Sequence, residues 1–295
     1  CGVRSRWSME TFIDVTTKRL SNEVGKSKVL MFLSGGVDSS VAFALLNKAL
    51  GKDKLLGLYI NNGFMRKHES EEILKRYSQL GYKNIQSRNY SSFFLDSLTG
   101  QVDPQIKRQI IGTTFIKMRD RFLNELNLNP DDWILGQGTL YPDIIESGGT
   151  EYAEVIKTHH NRVKEVLDLE SSGNIVEPLK DLYKDEVRKV GTLLGLPESI
   201  LWRHPFPGPG LSINVLCARG DESFPKTENS LKKIRDCLKD CNCIFQILPV
   251  RSVGVQGDQR TYSSPVALIN APRDWDWLES QATRITNEVR TVNRV

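Results

Sequence analysis

Apolar residues run without a break from Val29 to Leu33 behind the charged Lys28. A run of that length and make-up predicts a strand covered on both faces of a parallel sheet. Ser34, Gly35 and Gly36 break it, and Val37 to Leu46 then reads as a helix with Val41, Leu45 and Ala49 on one stripe. Upstream, residues 8–24 form an entry helix, with Ser8 as N-cap and Phe12, Thr16, Leu20 and Val24 on one side. Downstream, strands at 55–60 and 84–87 flank a helix at 69–80 whose inward residues are Ile73, Leu74, Tyr77 and Leu80. Asp103-Pro104 starts a long helix with Ile106, Ile110, Met118, Phe122 and Leu126 inward. A short strand follows at 133–135, then a helix carrying Val187, Val190 and Leu194 that Gly195 and Pro197 end. This alternation predicts an α/β fold, a parallel sheet with helices on both faces. Ligands in such sheets bind beyond the carboxyl ends of the strands, so 34–40 and 61–63 share one rim.

The rhythm changes at His204-Pro205-Phe206-Pro207-Gly208-Pro209-Gly210, a turn-rich segment that reads as a linker pressing on a ligand or partner. Beyond it the pattern predicts a strand at 211–217, a helix at 228–239, an extended stretch at 244–255, a strand at 267–270 and a helix at 274–290. The expected organisation is therefore a domain at 1–203, a linker at 204–210 and a smaller α+β domain at 211–295, small enough for pairing with another subunit to help its stability.

Composition narrows the class. With 39% hydrophobic and 26% charged residues the chain is an ordinary globular protein. It shows no signal peptide and no apolar run of about eighteen residues, so a soluble cytosolic protein without a membrane partner is expected. The net charge of +4 suits a small anionic ligand and is too weak to argue for nucleic acid. Cys237, Cys241 and Cys243 cluster as C-x3-C-x-C with no neighbouring histidine, and reduced thiols are a better reading than zinc. The chain opens on Cys1 and closes on Val295 within a strand-like stretch, so a longer protein is expected.

The candidate chemistry centres on Ser34, Gly35, Gly36, Val37, Asp38, Ser39 and Ser40. Strand, glycine turn and helix aim backbone amides and a positive helix end at an anion. No lysine lies between Gly35 and Ser40, so the loop is not a Walker A loop. A carboxylate beside phosphates is repulsive unless a cation intervenes, which makes Asp38 a magnesium ligand. The ordinary alternative is a tight turn with Asp38 favoured by the helix dipole. Gln137 and Gly138, followed by Asp143, either approach a ligand or form a surface loop. Lys157, His159 and His160 make either a basic lid or a polar loop, and as adjacent histidines they form a poor metal site. Lys180 and Asp181 stand out in the charged stretch that continues to Lys184, whereas Arg108 serves equally well as a solvated charge.

SGGVDS resembles the pyrophosphate loop of the N-type ATP pyrophosphatases. SGGVDSS, DPQIKRQIIG, GQGTLYPDIIES, IKTHHN, EPLKDLYKDEVR, RHPFPGPGL and SVGVQGDQRTY occur in that order. Together they resemble the synthetase part of the GMP synthase family over nearly the whole chain. That resemblance implies an adenine nucleotide α-hydrolase-like fold, ATP and magnesium as cofactors, and adenylation of the xanthine 2-oxygen of XMP followed by amination. It implies pyrophosphate at 34–40, ATP near Gln137, Gly138 and Asp143, and Lys157, His159 and His160 over the adenylated intermediate, with Lys180, Asp181 and Lys184 nearby. Arg260 is implied at XMP, with Arg108 as a further phosphate contact. A homodimer and ammonia from a glutaminase domain upstream of Cys1 are implied as partners. Three features depart from the family: Asn61 stands where Asp is common, 147–156 looks short, and no K-P-P-x-T-x-E-W-E segment occurs. NAD synthetase, a tRNA-thiolating enzyme and a non-catalytic nucleotide-binding module are the rival readings.

Overall fold

The computed structural model describes residues 7–146, 169, 171–220, 228–256 and 259–295. The chain divides into two compact units, one of Cys1–Thr99 with Arg108–Ser212 and one of Gly100–Lys107 with Ile213–Val295. Through the first part of the chain run α1 (Met9–Val24), β1 (Lys28–Phe32), α2 (Val37–Leu50), β2 (Leu55–Asn61), α3 (Glu69–Gln79), β3 (Ile85–Asn89) and α4 (Ser91–Ser97). After them come α5 (Pro104–Glu125), β4 (Trp133–Gly136), α6 (Tyr141–Glu146), β5 (Ile175–Val176), α7 (Lys184–Leu193), α8 (Glu198–Leu201) and α9 (Leu211–Asn214).

β1 to β5 pair in parallel in the order β3-β2-β1-β4-β5. The order changes direction at β1, the position where open α/β sheets hold their ligands. β1 sends alternate side chains to opposite faces. Val29, Met31 and Leu33 join Phe12, Leu20, Phe43 and Val187 in one core, while Leu30 joins Phe94, Ile111, Met118 and Phe122 in the other. Both faces are thus covered, as the unbroken apolar run predicts.

α2 is buried on more than the one stripe read from the sequence, since Ser40 to Leu46 are all buried. α1 and α7 cover the side that does not face the sheet. The close packing of α7 depends on Gly191, where a Cβ would lie 2.4 Å from Leu201 Cδ2 and 2.9 Å from Val41 Cγ2. α1 is capped as expected, with Ser8 Oγ accepting from the Thr11 amide at 3.2 Å.

Three expectations need correction. The stretch 211–217, read as a strand, begins instead as the one-turn helix α9. Its first amide donates to Phe64 O at 2.7 Å, and Ser212 Oγ donates to Pro209 O at 2.6 Å, so local bonds take the place of a sheet partner. The inward face of α5 also differs at its start. Ile106 is 44% exposed and Lys107 is buried, because this first turn belongs to the second unit, where Lys107 Nζ meets Cys217 Sγ at 3.1 Å. The strand read at 267–270 is the end of a much longer one, whose polar first half carries no hydrophobic signal.

The second unit holds α10 (Glu228–Cys237), β6 (Ile244–Ile247), β7 (Ser252–Gln256), β8 (Gln259–Ile269), α11 (Trp275–Glu288) and β9 (Val292–Arg294). β6 and β7 run antiparallel to β8, and β9 pairs with β8 in parallel. Ile234, Cys237, Ile247, Val266, Ile285 and Val292 form its core. Buried Asn293 ties β9 to β7, its Nδ2 donating to Ser252 O at 2.7 Å. Among the described residues no helix is long and apolar enough to cross a membrane.

Gly191→Val is expected to destabilise the protein by about 1–3 kcal/mol through overpacking. Urea unfolding measures this, and a variant as stable as the parent would show that α7 and α8 can separate freely.

Candidate functional site

The sheet delivers the loop after β1 to the rim. Gly35 adopts φ 72°, the left-handed conformation that glycine takes without steric cost. Ser34 Oγ accepts from the Gly36 amide at 3.2 Å and lies 3.0 Å from Ser39 Oγ. Ser39 and Ser40 hydroxyls both donate to Gly36 O, at 3.1 and 2.8 Å. Ser40 faces inward and meets Tyr77 OH at 2.8 Å, in surroundings whose burial pushes the tyrosine up to about 12. Gly36 caps α2 without any side-chain cap, so the first amides of the helix are not closed off by a capping side chain.

Asp38, in the first turn of α2, receives Lys184 Nζ at 2.7 Å on Oδ1 and 2.5 Å on Oδ2. Burial pushes the Asp38 carboxyl above the usual carboxylate range, the Lys184 ammonium pulls it back down, and Asp143 pushes it up. Asp143 itself accepts from the Leu140 amide at 3.0 Å. The second rim loop comes close because residue 138 is glycine. A Cβ there would lie 3.2 Å from Asp38 C and 3.3 Å from Asp38 O and Ser39 N.

These groups line a cavity of about 410 Å³, within the range of small-molecule sites. Its polar end holds Ser34, Gly36, Val37, Asp38, Ser39, Asp143 and Lys184. Its apolar wall includes Phe32, Ile60, Ile111, Phe115 and Leu135. Residues 204–209 supply another wall and fall within the first unit. Asn62 Nδ2 donates to Gly208 O at 3.1 Å, and Arg66 stacks 4.5 Å from the Phe206 ring. Gly210, at φ 63°, has no room for a Cβ, which would sit 2.2 Å from Phe64 O.

Of the residues singled out by sequence, Ser34, Gly36, Val37, Asp38, Ser39, Gln137, Gly138, Asp143 and Lys184 meet at this cavity. Gly35 and Ser40 support the loop from outside the lining. Lys180 is half-buried and Asp181 exposed, and neither lines the cavity. Arg108 lies in α5, outside the lining. Lys157, His159 and His160 lie outside the described residues, and Arg260 is described only as backbone in β8. Sequence reasoning missed Thr139, Glu177, Arg188 and Arg203, which also line the cavity. Arg188 could have been found, since it follows Lys184 by four positions on one helix face. Arg203 opens the RHPFPGPGL motif, which gave it a place in the resemblance but no role at the loop.

A five-stranded parallel sheet with a carboxylate-bearing glycine loop at its switch point has the architecture of the adenine nucleotide α-hydrolase-like fold. The sequence family described as NAD synthase matches residues 9–121. The fold is similar to an NMN synthetase from Francisella tularensis, with TM-score 0.51 and 17% identity over 70% of this chain and 79% of that one. It is also similar to an NH3-dependent NAD synthetase from Campylobacter jejuni, with TM-score 0.50 and 12% identity over 96% of this chain and 95% of that one. Among curated relatives, a probable GMP synthase [glutamine-hydrolyzing] of Leptospira interrogans is 43% identical over all of this chain and 48% of its own length. The GMP synthases [glutamine-hydrolyzing] of Synechococcus sp. and Geobacillus kaustophilus are 43% and 42% identical, each over all of this chain and 60% of its own length. The chain is a synthetase part of the GMP synthase family. It spans about half to three-fifths of the length of these relatives.

Because Gly138 packs on backbone, the series Gly138→Ala, Gly138→Val is expected to lower ATP-dependent turnover in steps, reaching about 100-fold for valine. Steady-state kinetics on both variants check this, and equal activity in all three proteins would remove the close approach from the site.

Proposed function

We propose that this chain performs the synthetase chemistry of GMP formation. ATP adenylates the 2-oxygen of the xanthine ring in XMP, pyrophosphate leaves, and ammonia displaces AMP to give GMP. The observation that carries the reading is the meeting of the SGGVDS loop, Gly138, Asp143 and Lys184 at one cavity, in a chain whose whole length aligns with GMP synthases.

The chemistry suits the residues. A urea-like carbonyl oxygen is a poor leaving group, and adenylation turns it into a good one. Cleavage between the α and β phosphates builds charge on the departing pyrophosphate, which preorganised amides and cations stabilise. The first amides of α2 and the ammonium of Lys184 face that end of the cavity. Arg188 adds a second cation, with its guanidinium 4.5 Å from the Trp202 ring and its Nε donating to Leu201 O.

The oxygen-only donors Asp38 and Asp143 fit a hard divalent cation. Among the described residues no group of three or more acidic, histidine or cysteine side chains could hold a metal. Magnesium nevertheless fits, because it uses one or two carboxylates and completes its shell with phosphates and water. Bound magnesium would supply charge neutralisation on the leaving pyrophosphate. Asp38 would hold the ion in this reading, leaving Lys184 to turn toward phosphate.

Lys157, His159 and His160 act near the adenylated intermediate, with Lys180 and Asp181 beyond the cavity lining. Arg260 and Arg108 approach XMP. These assignments rest on the IKTHHN, EPLKD, GDQRTY and KRQIIG motifs. Ammonia comes from glutamine through a glutaminase domain, and the protein acts in the cytosol as a homodimer. In the second unit Ile244, Val255 and Ile269 are exposed, and they support pairing there.

The NAD synthase match favours a second reading, amidation of nicotinate adenine dinucleotide. The matched residues 9–121 hold the pyrophosphate loop and stop short of Lys184, so they bear on the ATP half of the reaction alone.

Isotope exchange between pyrophosphate and ATP is expected to require XMP. Exchange driven instead by nicotinate adenine dinucleotide or by tRNA overturns the substrate assignment. Asp38→Ala is expected to lower adenylation by at least about 100-fold while circular dichroism shows an intact fold. Unchanged turnover in that variant would remove Asp38 from the metal site.

A further inference from the structure

The Gly35–Gly36 peptide is the joint on which the loop turns, and both of its residues are the type that rotates most freely. In a trans peptide the carbonyl and the amide point in opposite directions. If this peptide flips, a carbonyl oxygen replaces an N–H where an anion must bind. Something has to fix its orientation.

Arg203 does so from a distant part of the chain. Its Nη1 donates to Gly35 O at 2.5 Å, and its Nη2 is bound to Glu69 Oε1. The Arg203 side chain is 12% exposed and that of Glu69 6%. Glu69 is in turn fixed by Arg66, whose backbone amide reaches Oε2 at 2.9 Å and whose Nε and Nη2 reach Oε1 at 3.2 and 2.9 Å. One turn further along α3, Ile73 closes over Gly35, where a Cβ would meet Ile73 Cγ1 at 2.5 Å and Arg203 Nη1 at 2.7 Å. The guanidinium is thus held on one side by a buried carboxylate and grips the loop carbonyl with the other. With that carbonyl gripped, the Gly36 amide points to the Ser34 side of the loop, where it donates to Ser34 Oγ at 3.2 Å, a bond that an incoming phosphate oxygen would have to replace.

We propose that Arg203, anchored by Glu69, is a positioning residue that locks the Gly35–Gly36 peptide in the orientation that receives the β and γ phosphates. The inference rests on the ATP-binding part of the function proposed above and not on XMP.

A positioning role and a simple charge role predict opposite signs for Glu69. If Arg203 merely attracts phosphate by its charge, Glu69→Gln removes a competing negative charge and tightens ATP. If Arg203 positions the loop, Glu69→Gln loosens the anchor and weakens ATP. Calorimetric titration of the intact protein and its variants with ATP, pyrophosphate and AMP separates the two, since AMP lacks the phosphates concerned. Arg203→Ala is expected to weaken ATP and pyrophosphate about tenfold, or about 1.4 kcal/mol. AMP should stay within about twofold, a difference near 0.4 kcal/mol. Arg203→Lys should recover only part of the loss, because a single ammonium does not reproduce the two-pronged grip. Glu69→Gln and Arg203→Ala should be non-additive when combined.

ATP binding unchanged in Arg203→Ala, an equal loss for AMP, or tighter ATP in Glu69→Gln each overturns the proposal. If Arg203→Ala does not fold, the sign of the Glu69→Gln effect decides. A wrong XMP assignment would leave all of these affinities in place and would show only in the exchange assay.

Discussion

Because β1 is paired on both edges and packed on both faces, its position is determined before any charged group enters the account. Val29, Leu30 and Met31 are fully buried, and β2 and β4 satisfy the strand's backbone in register. A one-residue slip would send each of these side chains to the opposite face and break both cores at once. The loop that follows therefore inherits a fixed starting point. Its glycines turn the chain back into α2 within three residues, and the amides at the start of α2 are set at the rim by the packing beneath them.

Fixing the loop in place leaves the charges to be balanced. Asp38 sits where its own carboxylate repels any polyphosphate, and Lys184 answers it from the start of α7. With the Lys184 side chain 41% and the Asp38 side chain 32% exposed, this pair adds little to stability, since water screens it. Its consequence is electrostatic instead. The cavity contains a cation already held by a carboxylate, and in the proposed reading a polyphosphate arriving with a divalent ion would repartition both. Glu69 and Arg203 behave differently because they are buried. Removing Glu69 leaves the Arg203 guanidinium without its counter-charge, whereas removing Arg203 leaves Glu69 still paired with Arg66.

The reach of sequence reasoning follows from the range of the forces involved. The strand-loop-helix unit at 28–46 was legible because hydrophobic periodicity, glycine turns and helix starts are local signals. So was the sheet class. The site was legible only where its residues sit in motifs, as with Asp38, Gly138 and Lys184. Arg203 and Glu69 are 134 positions apart, and nothing in either neighbourhood announces the other. The stretch 211–217 misled for a related reason. Its alternating apolar residues are compatible with a strand, but the Leu211 amide is taken by Phe64 O, a partner that no local pattern reveals. In β8 the error ran the other way. Polar residues from Gln259 to Ser264 form a strand because β7 is available to pair with them.

A Walker-type loop carries its lysine within itself, next to the amides that it assists. Here the loop carries a carboxylate, and the lysine bonded to that carboxylate lies 146 positions downstream. Separating the two parts has a physical consequence. A loop-borne lysine can bind phosphate as soon as one strand-helix unit forms, whereas this site needs α2 and α7 docked side by side. That docking runs through Val41 and Gly191, in the same core that holds β1. The cation opposite the loop is therefore placed by the packing of the whole sheet face, and binding competence tracks global rather than local folding. A destabilising change in that face should weaken phosphate binding even where it touches no residue of the cavity.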